Sequence, residues 1–545
     1  MPNVRFAVSS RVALTSPSLG GALGGALASL SLGAALASPT AAAERASKPA
    51  TETVWVFFAD RPHAGATVST DDTALTPRAL ARREARRSMP GLVDAHDLPV
   101  EPAYVAAVRS FGATPRVESR WLNAVSVEVP RAAVRSIAKL PFVRGVQPVR
   151  AATSIAPIVE TAPNPEDGVA ATDYGFTAPQ LGQIDLLSLH ARGFRGAGVV
   201  IGVLDSGFNR VHEAFHSAEH PLHVLAEYDF VNDDPNTGIE EGDDPNQHRH
   251  GTWILGTLAA YLPGQAVGAA YEASYVLAKT EDVPTETPIE EDFYVAGLEF
   301  IEAQGADLAT SSLGYFDWYV ASDFDGETAV TTTAVNIATA NGLVCLTANG
   351  NGGHDEDPST LALGAPADAF EVISCGASDE TGAIAGFSSD GPSFDGRVKP
   401  EVLARGVAVV TVHSTNETGL AGVSGTSLST PLVAGAVACI LGARPDLTVS
   451  TLREALFATA ADSVAGIAPD PLFVRGYGLV QADATATFGR VPADLSLDGT
   501  VGGADLGIIL GAWGACGDCA SCFADLNGDC QVDGQDLAIV LGAWK

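Results

Sequence analysis

Positive charge is scarce in most of this 545-residue chain. Residues 151–545 contain 13 Lys and Arg against 54 Asp and Glu, whereas residues 1–150 contain 18 basic and 11 acidic side chains. Binding to nucleic acid depends on clustered basic groups that neutralise phosphates, so the acidic part of the chain excludes a nucleic-acid partner. The opposite charges of the two parts predict that the first part docks onto the second.

Long apolar runs are equally scarce, and the candidate for one lies at the start of the chain. Leu19–Ala37 is apolar and rich in small residues, follows the basic Arg5 and Arg11, and precedes the small-residue stretch Ala41–Ala43. This order is typical of a secretory signal peptide with its cleavage site. We predict that residues 1–43 are a signal peptide and that no other segment is long and apolar enough to span a membrane. The mature protein is then secreted, either extracellular or associated with the cell surface.

Cysteine is also rare, with seven residues in two groups. Cys345, Cys375 and Cys439 lie in apolar runs, which predicts small buried thiols. The other four cluster near the C-terminus, at Cys516, Cys519, Cys522 and Cys530. In an exported protein this cluster predicts two disulfides with three possible connectivities, and a metal-thiolate site is the alternative.

One serine stands at the start of an apolar helix. A glycine-rich turn precedes Ser427, and small apolar residues continue to Ala438. A helix N-terminus offers free backbone N–H groups that can hold a negatively charged oxygen, but this pattern is also that of an ordinary capped helix. The Gly-X-Ser-X-Gly elbow of α/β-hydrolase esterases does not surround this serine. A catalytic serine also needs a base and an orienting acid.

Both partners occur upstream, one at the end of a strand and one at the start of a helix, where the backbone would fix the side chain. A short apolar strand, Val199–Leu204, ends at Asp205, and His250 begins a helix of small residues. Between His250 and Ser427, the strand Leu343–Ala348 runs into a turn that carries Asn351, whose amide could donate to an oxyanion. The four side chains together predict nucleophilic catalysis by a serine.

The chain order Asp, His, Asn, Ser, with each motif at a strand end or a helix start, resembles the subtilisin-like serine proteases, the subtilase family. The resemblance covers roughly residues 180–485 and includes Ser312-Leu313-Gly314, Phe387–Pro392 and Asp395–Glu401. It implies a serine endopeptidase that needs no cofactor for catalysis and acts on proteins or peptides.

Residue roles follow from the resemblance. It implies that Ser427 is the nucleophile, His250 the general base and then acid, Asp205 the residue that orients His250, and Asn351 the oxyanion donor. It also implies substrate-binding segments at Ser312, Leu313, Gly314, Ala348, Asn349 and Gly350. Because Asn349 replaces the alanine usual in the family, the common preference for large apolar side chains is in doubt.

The same resemblance and the alternation of strands with helices predict an α/β fold. We expect a mostly parallel sheet over residues 180–488 with helices on both faces and the site at the carboxyl ends of its strands. The predicted strands are Val199–Leu204, Ala273–Lys279, Leu308–Leu313, Leu343–Ala348 and Val372–Gly376. Residues 44–155 have a β-α-β pattern that resembles the small α+β propeptide of exported subtilases, an inhibitor and folding chaperone that binds its own enzyme. Residues 156–179 are predicted to be a linker.

Residues 492–545 carry an internal repeat. Asp494–Asp505 recurs as Asp525–Asp536, and each copy leads into a short helix that ends in Leu-Gly-Ala-Trp. Oxygen side chains at alternate loop positions suit Ca²⁺, which makes this a predicted small helical calcium-loop module. The expected ligands are Asp525, Asn527, Asp529, Gln531, Asp533 and Asp536 in the second loop, and Asp494, Ser496, Asp498, Thr500 and Asp505 in the first, weaker loop.

The duplicated loop-helix units resemble a dockerin-type module. Dockerins often carry a Ser-Thr recognition pair, and here the corresponding positions hold Gly503-Ala504 and Gly534-Gln535. A cell-surface or cohesin-like partner of this module therefore stays open. The sequence as a whole predicts a secreted endopeptidase matured by propeptide removal. The alternative is a catalytically idle protease fold that acts as a calcium-dependent binding or cell-surface anchoring protein.

Overall fold

The computed structural model describes residues 51–61, 68–149, 158–161, 173–283, 290–316, 319–355, 357–517, 519 and 522–545, with only the backbone of 158–161. The predicted signal peptide, residues 1–43, lies outside the described residues, as do parts of the predicted linker. Residues 49–545 belong to one compact unit.

The predicted propeptide contains a four-stranded antiparallel sheet. Its elements are β1 (Thr51–Phe58), α1 (Pro77–Arg86), α2 (Pro102–Arg109), β2 (Thr114–Ser119), β3 (Ala124–Pro130), α3 (Arg131–Ile137) and β4 (Val143–Pro148). The strand order is β2-β3-β1-β4. Alternate residues of β1 and β3, such as Val54, Val56 and Val127, are buried in a core of their own, so this region has its own hydrophobic interior.

The central part alternates strands and helices. Its elements are β5 (Ile158–Thr161), α4 (Ala178–Gln183), α5 (Leu186–Ala191), β6 (Val200–Asp205), β7 (His223–Asp229), α6 (Arg249–Ala259), β8 (Tyr261–Leu262), β9 (Ala266–Val267), β10 (Ser274–Lys279), α7 (Glu291–Gln304), β11 (Leu308–Ser311), α8 (Val330–Ala340), β12 (Val344–Ala348), β13 (Ile373–Ser378), β14 (Val402–Arg405), β15 (Val409–Val412), β16 (Leu420–Ser424), α9 (Thr426–Ala443), α10 (Val449–Thr459), α11 (Ala461–Val464) and α12 (Ala482–Thr487).

Seven of these strands form one parallel sheet in the order β14-β13-β12-β11-β6-β10-β7. Both faces of the sheet are buried, since Ile201 and Val203 of β6 enter the core on the α9 side while Val200 and Leu204 enter the core on the α7 side. The predicted α/β fold, a mostly parallel sheet with helices on both faces, is confirmed. Because these strands are buried on both faces of the sheet, their sequences are continuous apolar runs.

Helix α9 corrects the expectation about membrane spans. Among the described residues it is the one helix of 18 residues apolar enough to cross a bilayer, but 94% of it is buried inside the protein. Its high apolar content therefore reflects its place in the middle of the core, where almost every residue is covered by the sheet and by α6.

The predicted propeptide packs against α7 through buried carboxylates. Trp55 Nε1 donates to Glu291 at 3.2 Å, and Ser119 Oγ donates to Glu299 at 2.5 Å. Asp292 accepts from Ser126 Oγ at 2.6 Å. The prediction from charge that the first part of the chain docks onto the rest agrees with these contacts.

The C-terminal part contains α13 (Gly503–Gly511), β17 (Gly514–Ala515), β18 (Gln531–Val532) and α14 (Gly534–Ala543). Two disulfides form there, Cys516–Cys522 and Cys519–Cys530, which confirms the predicted pairing of four cysteines and resolves its connectivity. Cys345, Cys375 and Cys439 are free and buried, as predicted. Leu497 reaches the core of the central part, and the Arg192 guanidinium lies 4.5 Å from the centre of the Phe523 ring.

Candidate active site

Asp205 and His250 form a hydrogen-bonded pair at the carboxyl edge of the sheet. Asp205 ends β6, and His250 is the second residue of α6. His250 Nδ1 lies 2.8 Å from Asp205 Oδ1 and 3.0 Å from Oδ2. Asp205 is fully buried, and its Oδ1 also accepts from the Ser206 backbone N–H at 2.7 Å. The pairing of Nδ1 with a carboxylate leaves Nε2 as the basic nitrogen.

Among the described residues, Nε2 of His250 is not hydrogen-bonded to Ser427 Oγ, whose hydrogen bond is to the Ser312 carbonyl oxygen. This nitrogen is buried and has no hydrogen-bond partner among the described residues, although most buried polar atoms in a folded protein are paired. A buried imidazole with one nitrogen held by a carboxylate and the other free can take a proton from a nearby hydroxyl.

Ser427 is the second residue of α9, a helix packed against α6. It is fully buried, its Oγ lies 3.4 Å from the Ser312 carbonyl oxygen, and the Ser312 hydroxyl donates to the Ser427 carbonyl at 2.9 Å. The strand before it, β16, pairs antiparallel with β5, so the segment that follows the predicted propeptide lies beside the strand that leads to Ser427.

Asn351 presents an amide N–H₂ group beside the same helix start. Its Oδ1 accepts from the backbone N–H and from the hydroxyl of Thr426, both at 2.9 Å. These two bonds fix the orientation of the amide, and its buried Nδ2 has no partner among the described residues. The free donor is therefore directed away from Thr426 and available to an oxyanion.

The predicted substrate-binding residues lie on two neighbouring strand ends. Ser312, Leu313 and Gly314 follow β11, which ends earlier than predicted, at Ser311. Ala348 ends the adjacent strand β12. Asn349 is fully buried and its Nδ2 donates to the Ser389 carbonyl at 2.9 Å, so it braces the following turn from inside.

Phe316 is a residue that the sequence did not single out. Its ring lies against two glycines: a Cβ placed on Gly350 would be 2.9 Å from the ring, and one on Gly364 would be 2.5 Å from it. The ring therefore fills the space beside the substrate-binding segments. An aromatic residue in a loop gives no sequence signal for this position.

A model of the subtilase family matches residues 196–479. The chain belongs to the subtilase family. A model of the peptidase S8 propeptide domain of Bacteroidota matches residues 53–164. The chain is thus a subtilisin-family protease with a propeptide, which acts on proteins or peptides and binds its own propeptide.

Several subtilisins are relatives of this subtilase. Subtilisin DY of Bacillus licheniformis is 32% identical over 303 residues, which cover 55% of this chain and 94% of that protein. Subtilisin E of Bacillus subtilis (strain 168) is 30% identical over 370 residues, 67% of this chain and 81% of that protein. Fervidolysin from Fervidobacterium pennivorans, a keratinolytic enzyme related to subtilisin, has a similar structure with a TM-score of 0.55 and 20% identity. The match covers 81% of this chain and 62% of fervidolysin.

His248, two residues before His250, is a second histidine near the site of this subtilase. Its spacing from His250 predicts that it faces solvent. It is buried instead, with Nε2 2.8 Å from the Gly238 carbonyl oxygen and 3.4 Å from Asp243 Oδ2. Burial lowers the pKa of His248. The loop before α6 folds back over it, which the local sequence did not reveal.

Among the described residues there are two clusters of three acidic or imidazole side chains. Within each cluster, one atom of every side chain lies within 4.8 Å of the others. One contains Asp229, Asp234 and Glu240, where Lys279 Nζ already supplies a positive charge 2.8 Å from Asp229. The other contains Asp205, His250 and a carboxylate that no motif marked, Glu281.

The C-terminal loops hold their carboxylates through backbone N–H groups. Asp505 accepts from Ser496 and Gly502, and Asp536 accepts from Leu526 and Asp533. In the first loop Asp494 Oδ1 and Ser496 Oγ are buried and have no hydrogen-bond partner among the described residues. Two unpaired oxygens in one loop fit a hard cation such as Ca²⁺.

Proposed function

We propose that this subtilase is a secreted serine endopeptidase that hydrolyses peptide bonds through an acyl-enzyme on Ser427 and is matured by removal of its propeptide. The observation that supports this most strongly is the 2.8 Å hydrogen bond between Asp205 Oδ1 and His250 Nδ1, which leaves Nε2 as the base. The buried Asn351 Nδ2 has no partner among the described residues and is available to an oxyanion.

The proposed reaction assigns one role to each of the four side chains. Ser427 Oγ attacks the carbonyl carbon of the peptide bond while its proton moves to His250 Nε2. Asn351 Nδ2 and the backbone N–H groups at the start of α9 donate to the oxyanion that forms. The imidazolium, held by Asp205, then gives its proton to the leaving amine, and water releases the acyl group by the reverse sequence.

Maturation and export are further parts of the proposal. The propeptide-domain match and the contacts of β5 with β16 support a precursor whose junction lies beside the strand that leads to Ser427. The basic, then apolar start of the chain supports export. The alternative of an idle protease fold would need a missing catalytic group, and all four side chains are present.

The C-terminal module is proposed to bind calcium. Three features support this: the duplicated loops, the unpaired oxygens of Asp494 and Ser496, and the backbone at the sixth loop position. Gly499 and Cys530 occupy that position with φ values of +90° and +67°, the left-handed conformation that a tight calcium loop requires. When bound, one Ca²⁺ ion in each loop would be held by that loop's residues named above, with Thr500 and Gln531 offering their backbone carbonyls, and would stabilise the loop.

We extend this proposal to the partner of the module. Trp513 and Trp544, which close the two repeated helices, are 51% and 44% exposed. Exposed aromatic side chains at equivalent positions support binding to a partner at the cell surface or to a cohesin-like protein.

The test compares the wild-type proprotein with Ser427→Ala and with the matched control Ser429→Ala. Ser429 is buried on the same helix, and its hydroxyl donates to the Thr426 carbonyl at 2.9 Å. We expect wild type and the control to release the propeptide and digest casein, while Ser427→Ala stays full length and inert. Digestion by Ser427→Ala equal to wild type would overturn the proposal.

A further inference from the structure

A second carboxylate lies beside the Asp205–His250 pair. Glu281 follows β10, the neighbour of β6 in the sheet, and Lys279 of β10 pairs in register with Asp205. One oxygen of Glu281, one oxygen of Asp205 and one ring nitrogen of His250 all lie within 4.8 Å of one another. Glu281 is 6% exposed, so this is a buried cluster of two carboxylates and one imidazole.

The side chain of Gln247 connects the backbone of Glu281 to the segment that follows Asp205. Gln247 Nε2 donates to the Ser206 carbonyl at 2.7 Å and to the Glu281 carbonyl at 2.6 Å, and its Oε1 accepts from the Val283 N–H at 3.0 Å. Gln247 lies three residues before His250 and is 2% exposed. The backbone of Glu281 is thus held in a fixed relation to Asp205 and to the start of α6.

The charges around this cluster belong to several elements. Lys279 binds Asp229 at 2.8 Å and lies 3.6 Å from Asp243, while the Arg249 guanidinium lies 5.2 Å from the centre of the Trp253 ring. Other titratable groups around the cluster are His248, which is bound to Gly238 and Asp243, and Glu290, which accepts from the Asp282 N–H at 3.0 Å. Tyr315 is a third, and burial together with the charges of Glu290 and Glu281 raises its pKa.

The consequence for the reaction lies in the charge of His250. When Ser427 gives up its proton, the imidazole becomes an imidazolium. A second negative charge at this distance, shielded from water, favours the charged ring more than Asp205 alone does. Asp205 already occupies Nδ1 at 2.8 Å, so Glu281 acts by its charge rather than by replacing that bond.

We propose that Glu281 is a positioning residue for His250: its carboxylate stabilises the imidazolium that forms when Ser427 is deprotonated. This inference rests on the proposed function of the site. It assigns a role to a residue outside the Asp, His and Ser motifs.

The test is the pH profile of kcat/KM for Glu281→Gln, measured on a soluble peptide with the matured enzyme. Removing the negative charge makes the imidazolium less stable, so His250 stays neutral to lower pH. We expect the acid limb to move by about one pH unit to lower pH and kcat at the plateau to fall about tenfold, with little change in KM. Glu281→Asp should recover part of both effects.

Asp368→Asn is the matched control. Asp368 is also buried, accepts from the Gly326 N–H at 2.9 Å and from the Thr332 hydroxyl at 2.6 Å, and does not belong to the Asp205–His250 group, so this variant should keep the acid limb of wild type. A Glu281→Gln enzyme with the acid limb and kcat of wild type, or with a change in KM alone, overturns the proposal.

A second measurement tests the proposal even if the Glu281→Gln variant fails to mature. In full-length Ser427→Ala protein, the downfield Nδ1–H proton resonance of His250 reports the charge of the ring. Its titration should move to lower pH by about one unit when Glu281→Gln is added, and an unchanged midpoint overturns the proposal. This readout needs no catalysis. If wild type shows no hydrolysis that depends on Ser427, the result counts against the proposed function instead.

Discussion

Polar atoms without partners mark the chemistry at the scale of single residues. Asn351 Nδ2 and His250 Nε2 are buried and free among the described residues, while the opposite ends of both side chains are held by two bonds each. A buried polar atom left unpaired costs free energy, and in the proposed reaction the oxyanion would supply the missing partner of Asn351 Nδ2. The same logic does not apply to Ser312, whose hydroxyl is fully engaged with Ser427.

We expect Phe316 to limit the size of a substrate pocket at the predicted substrate-binding segments. Replacing it by alanine removes the ring that lies on Gly350 and Gly364 and leaves a cavity. We expect Phe316→Ala to raise kcat/KM about tenfold for peptides with Phe or Leu before the cleaved bond, relative to peptides with Ala there. The control is Phe394→Ala, because Phe394 is 59% exposed. An unchanged ratio of the two rates would show that the ring does not limit the pocket.

His190 makes the central part sensitive to acid. It is fully buried between the Tyr174 hydroxyl and the Ala269 carbonyl, and burial lowers its pKa to about 4. An unfolded histidine titrates at about 6.5, so between pH 6.5 and 4 the unfolded chain binds a proton that the folded chain does not. This group therefore costs stability as the pH falls, by up to about 3 kcal/mol.

We predict that the unfolding free energy of His190→Gln depends less on pH than that of the parent protein. Glutamine cannot be protonated, so the difference in unfolding free energy between pH 7.5 and pH 4.5 should shrink, even where the variant is less stable at both. Urea unfolding in the Ser427→Ala background measures it. Equal pH dependence in the two proteins would contradict the assignment.

At the scale of elements, helix α1 fastens the propeptide to the far end of α7. Arg82 and Arg83 are buried and both bind Glu302, with Arg83 Nε 2.8 Å from Glu302 Oε1. Arg86 binds Asp307 at 3.0 Å, just before β11. Although burial opposes it, the two guanidinium groups hold the pKa of Glu302 below its usual range. This ion-pair stabilisation is present at neutral pH and is lost as the pH falls through the lowered pKa of Glu302.

Glu302→Gln should loosen this attachment strongly. It leaves two buried guanidinium groups without their shared carboxylate, which costs about 3 to 5 kcal/mol. The expected result in the Ser427→Ala background is a lower urea midpoint and faster protease cutting between α1 and α2. Glu454→Gln, on the exposed face of α10, is the control and should change neither. Indistinguishable unfolding of the two variants would show that the ion pairs do not hold the propeptide.

Local sequence patterns predicted most elements but not those that depend on distant partners. The five predicted strands agree with the structure to within a few residues, because runs buried on both faces are apolar throughout. The edge strands β7 and β14 were missed: His223–Asp229 mixes exposed and buried residues, and Val402–Arg405 is only four residues long. The burial of Arg82 and Arg86 in α1 was not predicted, since Glu302 and Asp307, which they bind, lie more than 200 residues away.

The site followed the same rule. Asp205, His250, Asn351 and Ser427 could be predicted as site residues because each stands in its own local motif at a strand end or helix start. Glu281 and Phe316 reach the site from loops after β10 and β11, where nothing in the neighbouring residues marks their direction. The burial of His248 was missed for a related reason, since the loop that covers it is held by contacts beyond its own sequence.

At the scale of the whole molecule, the C-terminal module adds a proposed dependence on calcium. We expect full-length Ser427→Ala protein to bind two Ca²⁺ ions in a titration by calorimetry, to unfold at higher temperature with calcium, and to lose this gain with a chelator. Asp525→Asn should remove the tighter site, because Asp525 opens the loop with the fuller set of oxygen ligands. Asp357→Asn, an exposed residue elsewhere, should leave both sites intact. No heat of binding at millimolar calcium would contradict the proposal.

The most direct measurement traps the nucleophile. The matured protein is treated with a fluorophosphonate, which reacts with a serine only where a base and an oxyanion site activate it. Peptide mapping by mass spectrometry should then find the adduct on Ser427, with labelling abolished by His250→Ala and retained by Ser429→Ala. An adduct on another residue, or no adduct in a protein that still digests casein, would contradict the assignment of Ser427 as the catalytic serine.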